Sequence, residues 1–178
     1  MKKFIGKSMV LACIFMLLPV ITIAESDRSR INRERKAIGH ALVEVQSTNW
    51  PFLLQHYTDD IEYHDPIVTV EGIENMAEFL GRMFASSPNL VTTVEDETCI
   101  NGIYAATWRM DGFFNNVPYS AKGMSIIKFR PQSLKVYYAR DYYTEGDIMI
   151  KIPGLDEPTD AFRTYYRCAV DPTFGCPY

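Results

Sequence analysis

The chain lacks the features that mark several common classes of protein. It has no excess of basic residues, because 18 lysines and arginines stand against 22 aspartates and glutamates, a net charge of −4. That acidic balance argues against nucleic acid or an anionic membrane as a partner. The spacing of its four cysteines resembles no zinc site. No glycine-rich phosphate loop or nucleophile elbow occurs, so neither a metal nor a nucleotide cofactor is expected.

The amino terminus has the pattern of a targeting segment. Three lysines (Lys2, Lys3 and Lys7) come first, an apolar run fills residues 8–23, and a polar stretch begins at Glu25. The run is short for a bilayer span and has no basic flank on its far side. We therefore predict a signal peptide over residues 1–24 and a secreted or periplasmic protein, with no stable membrane insertion after cleavage.

Cleavage would leave an acidic chain with three cysteines. The mature chain would have 15 basic and 22 acidic residues, a net charge of −7. Cys168 and Cys176 flank a turn that contains proline and glycine, and they could close a small loop in an oxidising compartment. Cys99 would be left over, and we expect it to be buried in a strand.

Hydrophobic periodicity divides the mature chain into a domain over residues 25–150 and a proline-rich extension over residues 151–178. Helical spacing predicts helices from Arg28 to Val45 and from Gly72 to Phe84, and Asn49 followed by Pro51 predicts a short helix between them. The extension is expected to be an extended tail, held by the loop between Cys168 and Cys176.

The remaining segments of the domain have the alternation and turn signals of strands. A short strand is predicted over Asp60–Asp65, and four longer strands follow, over Leu90–Ile100, Ile103–Phe114, Val117–Phe129 and Leu134–Tyr143. Asn101-Gly102, Asn115-Asn116 and the turn at residues 131–133 separate the longer strands. This order predicts an α+β fold, in which a curved, mostly antiparallel sheet is wrapped on three helices.

Three of the strands carry side chains suited to proton transfer. They are Tyr63-His64-Asp65-Pro66, Arg109-Met110-Asp111 and Arg140-Asp141-Tyr142. Residues two apart in a strand point to the same face, so Tyr63 pairs with Asp65 and Arg109 with Asp111. If the strands line one cavity, they bring together three carboxylates, a guanidinium and a phenol. One aspartate beside the guanidinium would then have a lowered pKa and the other a raised one, giving a base and an acid.

The segment over residues 59–66, placed before a helix that starts at Gly72, resembles the nuclear-transport-factor-2-like superfamily, which includes SnoaL-type polyketide cyclases and ketosteroid isomerases. The resemblance covers residues 32–150. It implies a cone-shaped α+β barrel around one deep, largely apolar pocket. The fold hosts many activities, so the function has to be argued from the site.

Within this group, the motifs are most similar to limonene epoxide hydrolase. The resemblance implies that Tyr63 positions a water, that Asp141 is the base, that Asp111 is the acid and that Arg109 bridges the two aspartates. Asp65 departs from that family, which has asparagine there. The leading hypothesis is therefore an exported, cofactor-free hydrolase acting on an epoxide of a small hydrophobic molecule.

Two alternatives remain open. Asp65-Pro66 matches the position of the base in ketosteroid isomerases, although Ala41 and Ser125 stand where that family has its oxyanion-stabilising Tyr and Asp. A SnoaL-type isomerase or cyclase with an aspartate base is thus the second hypothesis. The third is a periplasmic binding module that holds a hydrophobic ligand without reacting it.

The outer face of the sheet indicates how the chain could assemble. Trp108 and Met110 lie on the opposite face of their strand from Arg109, so a cavity-facing Arg109 would expose both apolar side chains on the outside of the sheet. Large exposed apolar groups mark interfaces, and we predict a homodimer formed through the sheet. Coverage of that face by the carboxy-terminal tail is the alternative.

Overall fold

The computed structural model describes residues 27–114 and 117–170. The predicted signal peptide, the Asn115-Asn116 turn and Cys176 lie outside these residues. Helix α1 covers residues 27–43. Helix α2 covers Trp50–Leu53, a 3-10 turn follows at Leu54–His56, and helix α3 covers Ile73–Ser86. The three predicted helices are therefore present, and each lies within a few residues of its predicted bounds.

Six strands form one curved, open sheet. They are β1 (Tyr57–His64), β2 (Thr69–Glu71), β3 (Val91–Ile100), β4 (Ile103–Phe114), β5 (Val117–Phe129) and β6 (Val136–Tyr143). Their order across the sheet is β2-β1-β6-β5-β4-β3, and every pairing is antiparallel except the parallel one between β1 and β6. The predicted α+β fold is confirmed. The short edge strand β2 had not been predicted.

The β3–β4 hairpin shows how local sequence sets the register. Asn101 and Gly102 both have positive φ, 52° and 79°. Two such residues form the tight turn whose twist matches that of the flanking strands, and Asn-Gly is the pair that adopts it most readily. Ile100 therefore pairs with Ile103, and the register set by that pairing continues to Asp96 opposite Thr107. A bulge between Val94 and Asp96 then shifts the register by one residue.

The core lies between the sheet and helices α1 and α3. Helix α3 buries Met76, Leu80 and Phe84, which recur at helical spacing along one stripe. Helix α1 contributes Leu42 and Val43 to the same cluster. Because both helices pack on one face of the sheet, side chains on that face meet apolar surroundings, and side chains on the other face meet water.

The described part of the carboxy-terminal extension contains a helix, so the prediction of an extended tail is wrong there. Helix α4 covers Glu145–Met149 and helix α5 covers Asp156–Val170. Pro158 falls in the first turn of α5, where a missing backbone N–H breaks no helical hydrogen bond. Arg163 of α5 donates to Asp147 of α4 at 2.7 Å. None of the helices in the described part of the chain is long and apolar enough to span a bilayer.

The cysteines are distributed largely as expected. Cys168 is joined in a disulfide, but Cys176 lies outside the described residues, so the pairing between the two stays a prediction. Cys99 is a free thiol in β3 and is half-buried rather than fully enclosed.

Candidate functional site

A cavity of about 270 Å³ opens on the helix side of the sheet. Strands β1, β4, β5 and β6 form its floor, and helix α3 with the end of α1 forms a wall. Its volume lies just below the range of about 300–1,000 Å³ that is usual for ligand sites. Most of its lining is apolar or aromatic, and its two carboxyl groups belong to Asp65 and Asp141.

Asp141 is held by two hydroxyl groups from neighbouring strands. Tyr63 donates from its hydroxyl to Oδ2 at 3.0 Å, and Ser125 donates from Oγ to Oδ1 at 2.5 Å. The strand register explains both contacts. Ser125 lies directly opposite Asp141 across β5–β6, while Tyr63 lies opposite Ala139, two residues before Asp141 on the same face.

Trp108 fixes the direction of the hydroxyl of Ser125. Its Nε1 lies 2.8 Å from Oγ of Ser125, and an indole nitrogen can only donate. Ser125 must therefore accept from Trp108 and give its own hydrogen to Asp141. Gly123 makes room for the indole ring, because a Cβ at that position would lie 2.4 Å from a ring carbon of Trp108.

Burial makes Asp141 a weak acid. It raises the pKa of the carboxyl group from an ordinary 3.8 to about 6, because the charged form loses its water. The hydrogen bonds from Ser125 and Tyr63 act in the opposite direction, since they stabilise the carboxylate, and the negative charge of Asp65 raises the pKa further. A carboxyl group that titrates near neutral pH can both take and return a proton.

Asp65 faces the same cavity in a fixed conformation. Its Oδ1 accepts hydrogen bonds from the backbone N–H groups of Ile67 and Val68, each at 2.7 Å. This closes the turn after β1 and anchors the carboxylate. The structure thus places Tyr63, Asp65 and Asp141 on one cavity.

Arg109 and Asp111 lie on the other face of the sheet, and the prediction that they face the cavity is wrong. They form an ion pair with Nε and Oδ2 2.9 Å apart, and their side chains are 48% and 45% exposed. The alternation of β4 instead directs Trp108 and Met110 to the cavity. The physical reason is the apolar interior, which favours an indole and a thioether over a guanidinium and a carboxylate.

The same correction removes the argument for a dimer through exposed Trp108 and Met110. Trp108 is only 4% exposed, and Met110 packs against the core cluster. A homodimer remains a prediction, but these two side chains do not support it.

The sequence reasoning missed Ser125 and Trp108 as parts of the site. Ser125 is 3% exposed and lies in phase with the buried Ile127 and Phe129 along β5. A serine that alternates in step with buried apolar residues needs a hydrogen-bond partner inside the protein. That pattern in β5 was the sequence signal that could have placed Ser125 in the site.

Three further phenols line the cavity without a hydrogen bond to any described residue. They belong to Tyr57, Tyr119 and Tyr143. Tyr57 is the most enclosed, with 7% of its surface exposed. Burial raises the pKa of all three, so each stays protonated and can donate to a ligand oxygen. In the described part of the chain, no group of three or more His, Cys, Asp or Glu could hold a metal ion.

Comparison with known proteins points to one family. The SnoaL-like domain family matches residues 40–137 of this chain. A search of curated proteins finds no match in sequence. Many solved structures are similar in fold.

Three of these structures illustrate the likeness. One is a protein from Jannaschia sp. CCS1 that is named as a SnoaL-like polyketide cyclase. It is 17% identical in sequence to this chain with a TM-score of 0.59, and the match covers 70% of this chain and 94% of that chain. An epoxide hydrolase similar to limonene epoxide hydrolase, from M. tuberculosis, is 13% identical with a TM-score of 0.58, over 75% and 98% of the two chains. A phenazine biosynthesis-related protein from Pseudomonas aeruginosa is 8% identical with a TM-score of 0.63, over 71% and 89%. At these identities the likeness is one of fold.

Proposed function

Because this chain belongs to the SnoaL-like domain family, we propose that it is an acid–base enzyme acting on a small hydrophobic substrate, with Asp141 as its base. The observation that carries the proposal is the carboxyl group of Asp141. It faces an apolar cavity, it is held by two hydroxyl donors, and its pKa is raised to about 6. Catalysis by a positioned base of this kind accelerates a reaction by roughly 10²–10⁴-fold.

The reaction that these groups fit best is proton abstraction next to a carbonyl group. Asp141 takes the proton from carbon, and the electron pair of the broken C–H bond moves to the carbonyl oxygen as an enolate forms. The phenols of Tyr119 and Tyr143 can donate to that oxygen as its charge develops. Asp141 then returns the proton to another carbon, giving an isomer. Alternatively, the enolate carbon attacks a second carbonyl carbon within the substrate, and the alkoxide that forms takes the proton from Asp141, giving a ring.

Tyr63 and Ser125 keep the base usable at neutral pH. Burial alone would raise the pKa of Asp141 further and leave the carboxyl group protonated. Their two hydrogen bonds offset part of that rise. The ionised form is therefore the major one above pH 6, and it is the form that abstracts a proton.

Epoxide hydrolysis is the second candidate, and one observation favours it. The hydrogen bond between Tyr63 and Asp141, with Asp65 on the same cavity, could hold and deprotonate a water molecule. The acid first assigned to the epoxide oxygen, Asp111, is outside the cavity, and so is its bridging Arg109. A phenol such as that of Tyr143 would have to donate that proton instead, and it is a far weaker acid.

The experiment compares Asp141→Asn with Asp111→Asn. Turnover is measured as exchange of the α-hydrogens of cyclic ketones and enones with deuterium oxide, followed by NMR, and as diol formation from a panel of epoxides. We expect Asp141→Asn to lose about 10²–10⁴-fold in whichever activity the wild type shows. Asp111→Asn should keep wild-type activity, because its carboxyl group lies on the solvent side of the sheet.

The outcomes separate the hypotheses. Exchange or isomerisation without diol supports proton abstraction, and diol formation supports the hydrolase. Full activity in Asp141→Asn would refute the assignment of the base. Ligand retention without turnover on either panel would favour the third hypothesis, a binding module.

We also propose that the protein acts outside the cytoplasm. The basic start and apolar run of residues 1–24 support export. The disulfide at Cys168 agrees with an oxidising compartment. Mass spectrometry of the secreted chain would locate the cleavage site, and a mature chain that begins at residue 1 would contradict this proposal.

A further inference from the structure

The cavity carries negative charge without a positive partner. Asp141 is contacted by two neutral hydroxyl groups. Asp65 receives two backbone N–H groups on Oδ1. Among the described residues that line the cavity there is no lysine, arginine or histidine. A carboxylate in apolar surroundings gains from a nearby cation, because hydrogen bonds from neutral groups replace only part of the hydration that its charge has lost.

Six aromatic side chains are among the described residues that line the cavity. Tyr63 and Phe79 lie with ring centroids 5.2 Å apart, and Trp108 and Tyr143 with centroids 6.3 Å apart. All four side chains line the cavity. The face of an aromatic ring attracts a cation, and tryptophan and tyrosine attract it most strongly.

A largely enclosed phenol on the cavity wall is free to bind a polar atom of the ligand. Tyr57 is 93% enclosed and lines the cavity, and its hydroxyl has no hydrogen bond to any residue in the described ranges. The negative charge of Asp141 lies close enough to disfavour ionisation of this phenol. A hydroxyl group so placed has its hydrogen-bonding capacity left for an occupant of the cavity.

We propose that the ligand of this cavity carries a small alkylated ammonium group, held by the two carboxylates and the aromatic walls. The inference names a substrate class for the enzyme proposed above and in that respect rests on the proposed function. Alkyl groups on the nitrogen can lie against the rings and the methionine side chains, whereas a primary ammonium would need three hydrogen-bond acceptors. A cation here also stabilises an enolate as its charge develops.

Three probes of one shape and different charge test the inference. Choline is the cation, 3,3-dimethylbutan-1-ol replaces its nitrogen by carbon and is uncharged, and 3,3-dimethylbutanoate is the anion. Binding to the intact wild-type protein is measured by calorimetry at pH 8, where Asp141 is ionised. We expect choline to bind about tenfold or more tightly than the uncharged probe, and the anion to bind most weakly.

Two variants that each remove one carboxylate, and one control variant, test whether the cavity carboxylates cause the preference for choline over the uncharged probe. Asp65→Asn keeps an oxygen for the turn after β1, since asparagine makes the same turn, and Asp141→Asn keeps the shape of the buried side chain. Each should reduce the preference for choline to about threefold or less. Asp111→Asn removes the same charge from the outer face of the sheet and should leave the preference unchanged.

The result that overturns the inference is equal or tighter binding of the uncharged probe. An unchanged preference in both Asp65→Asn and Asp141→Asn would overturn it too, and so would the absence of choline binding. These outcomes are independent of the proposed function, because binding needs no turnover. A preference for the cation without turnover on either substrate panel would refute the enzyme and keep the ligand class. Turnover without the preference would keep the enzyme and refute the ligand class.

Discussion

Asp141 and Asp111 belong to the same sheet and face opposite sides of it. Asp141 lies in an apolar cavity with two hydroxyl donors and, among the described residues that line it, no cationic side chain, and burial raises its pKa to about 6. Asp111 is 45% exposed beside Arg109, and the hydrogen bond from Ser120 and the contact with Arg109 lower its pKa. One residue type therefore has opposite acid–base behaviour on the two faces.

The difference shows what turns a carboxylate into a candidate catalyst in this fold. On the outer face, solvent exposure and the ion pair with Arg109 compensate the negative charge of Asp111, so the group gains little by taking up a proton or binding a second cation. On the inner face, hydrogen bonds compensate only part of the hydration that the charge of Asp141 has lost. The rest of that desolvation free energy is regained when the carboxylate takes up a proton or binds a cation.

The largest effect on stability should come from removing the inner charge. The folded pKa of Asp141 lies above its ordinary value of 3.8, so the folded state binds the proton more tightly than the unfolded state does. The contribution of Asp141 to the stability of the wild type should therefore fall by about 2–3 kcal/mol as pH rises from about 4 to above 6. Asp141→Asn should lose this dependence and be more stable than the wild type at pH 8. Urea unfolding at pH 4 and pH 8 measures both.

The same measurement can contradict the contrast between Asp141 and Asp111. Equal pH dependence in the wild type and in Asp141→Asn would mean that the carboxyl group of Asp141 is as well solvated as that of Asp111. A loss of activity together with a gain in stability is the pattern expected at a strained functional site.

A smaller effect should come from the hydroxyl partner of each aspartate. Ser125→Ala removes a donor that stabilises the carboxylate of Asp141, so the pKa of Asp141 should rise above 6. The acidic midpoint of the pH–rate profile should move upward by about one pH unit. Ser120→Ala is the matched control, because Ser120 makes the equivalent bond to Asp111 on the outer face. A profile that moves equally in both variants would contradict the assignment of Asp141 as the titrating base.

Most of the fold could be predicted because its signals are local. The Asn101-Gly102 turn requires positive φ at both residues and thereby fixed the β3–β4 hairpin. The stripe of Met76, Leu80 and Phe84 was visible from spacing alone. Helix α5 was missed because the proline-rich composition of the extension suggested an extended tail, although Pro158 lies in the first helical turn, where proline is tolerated.

The site was harder to predict because it depends on which face of β4 points inward. The motif Arg109-Met110-Asp111 suggested a catalytic arrangement, but alternation places either its charged pair or its apolar neighbours in the core. The preference of the interior for Trp108 and Met110 was the stronger signal. The contact between Ser125 and Asp141 depends on the register of β5 against β6, which no local pattern fixes.

The smallest effect should follow from breaking the outer ion pair. The side chains of Arg109 and Asp111 are about half exposed, so water and salt screen their attraction, and such pairs contribute about 0–1 kcal/mol. Because the pKa of Asp111 is lowered, any contribution it makes should be lost as pH falls through that pKa, the reverse of the trend at Asp141. A double-mutant cycle with Arg109→Met and Asp111→Asn should give a coupling free energy below about 1 kcal/mol that shrinks in high salt. A coupling of several kcal/mol, or a large loss of turnover in Asp111→Asn, would mean that the outer face takes part in the chemistry, and it would restore the hypothesis of an acid and a base bridged by Arg109.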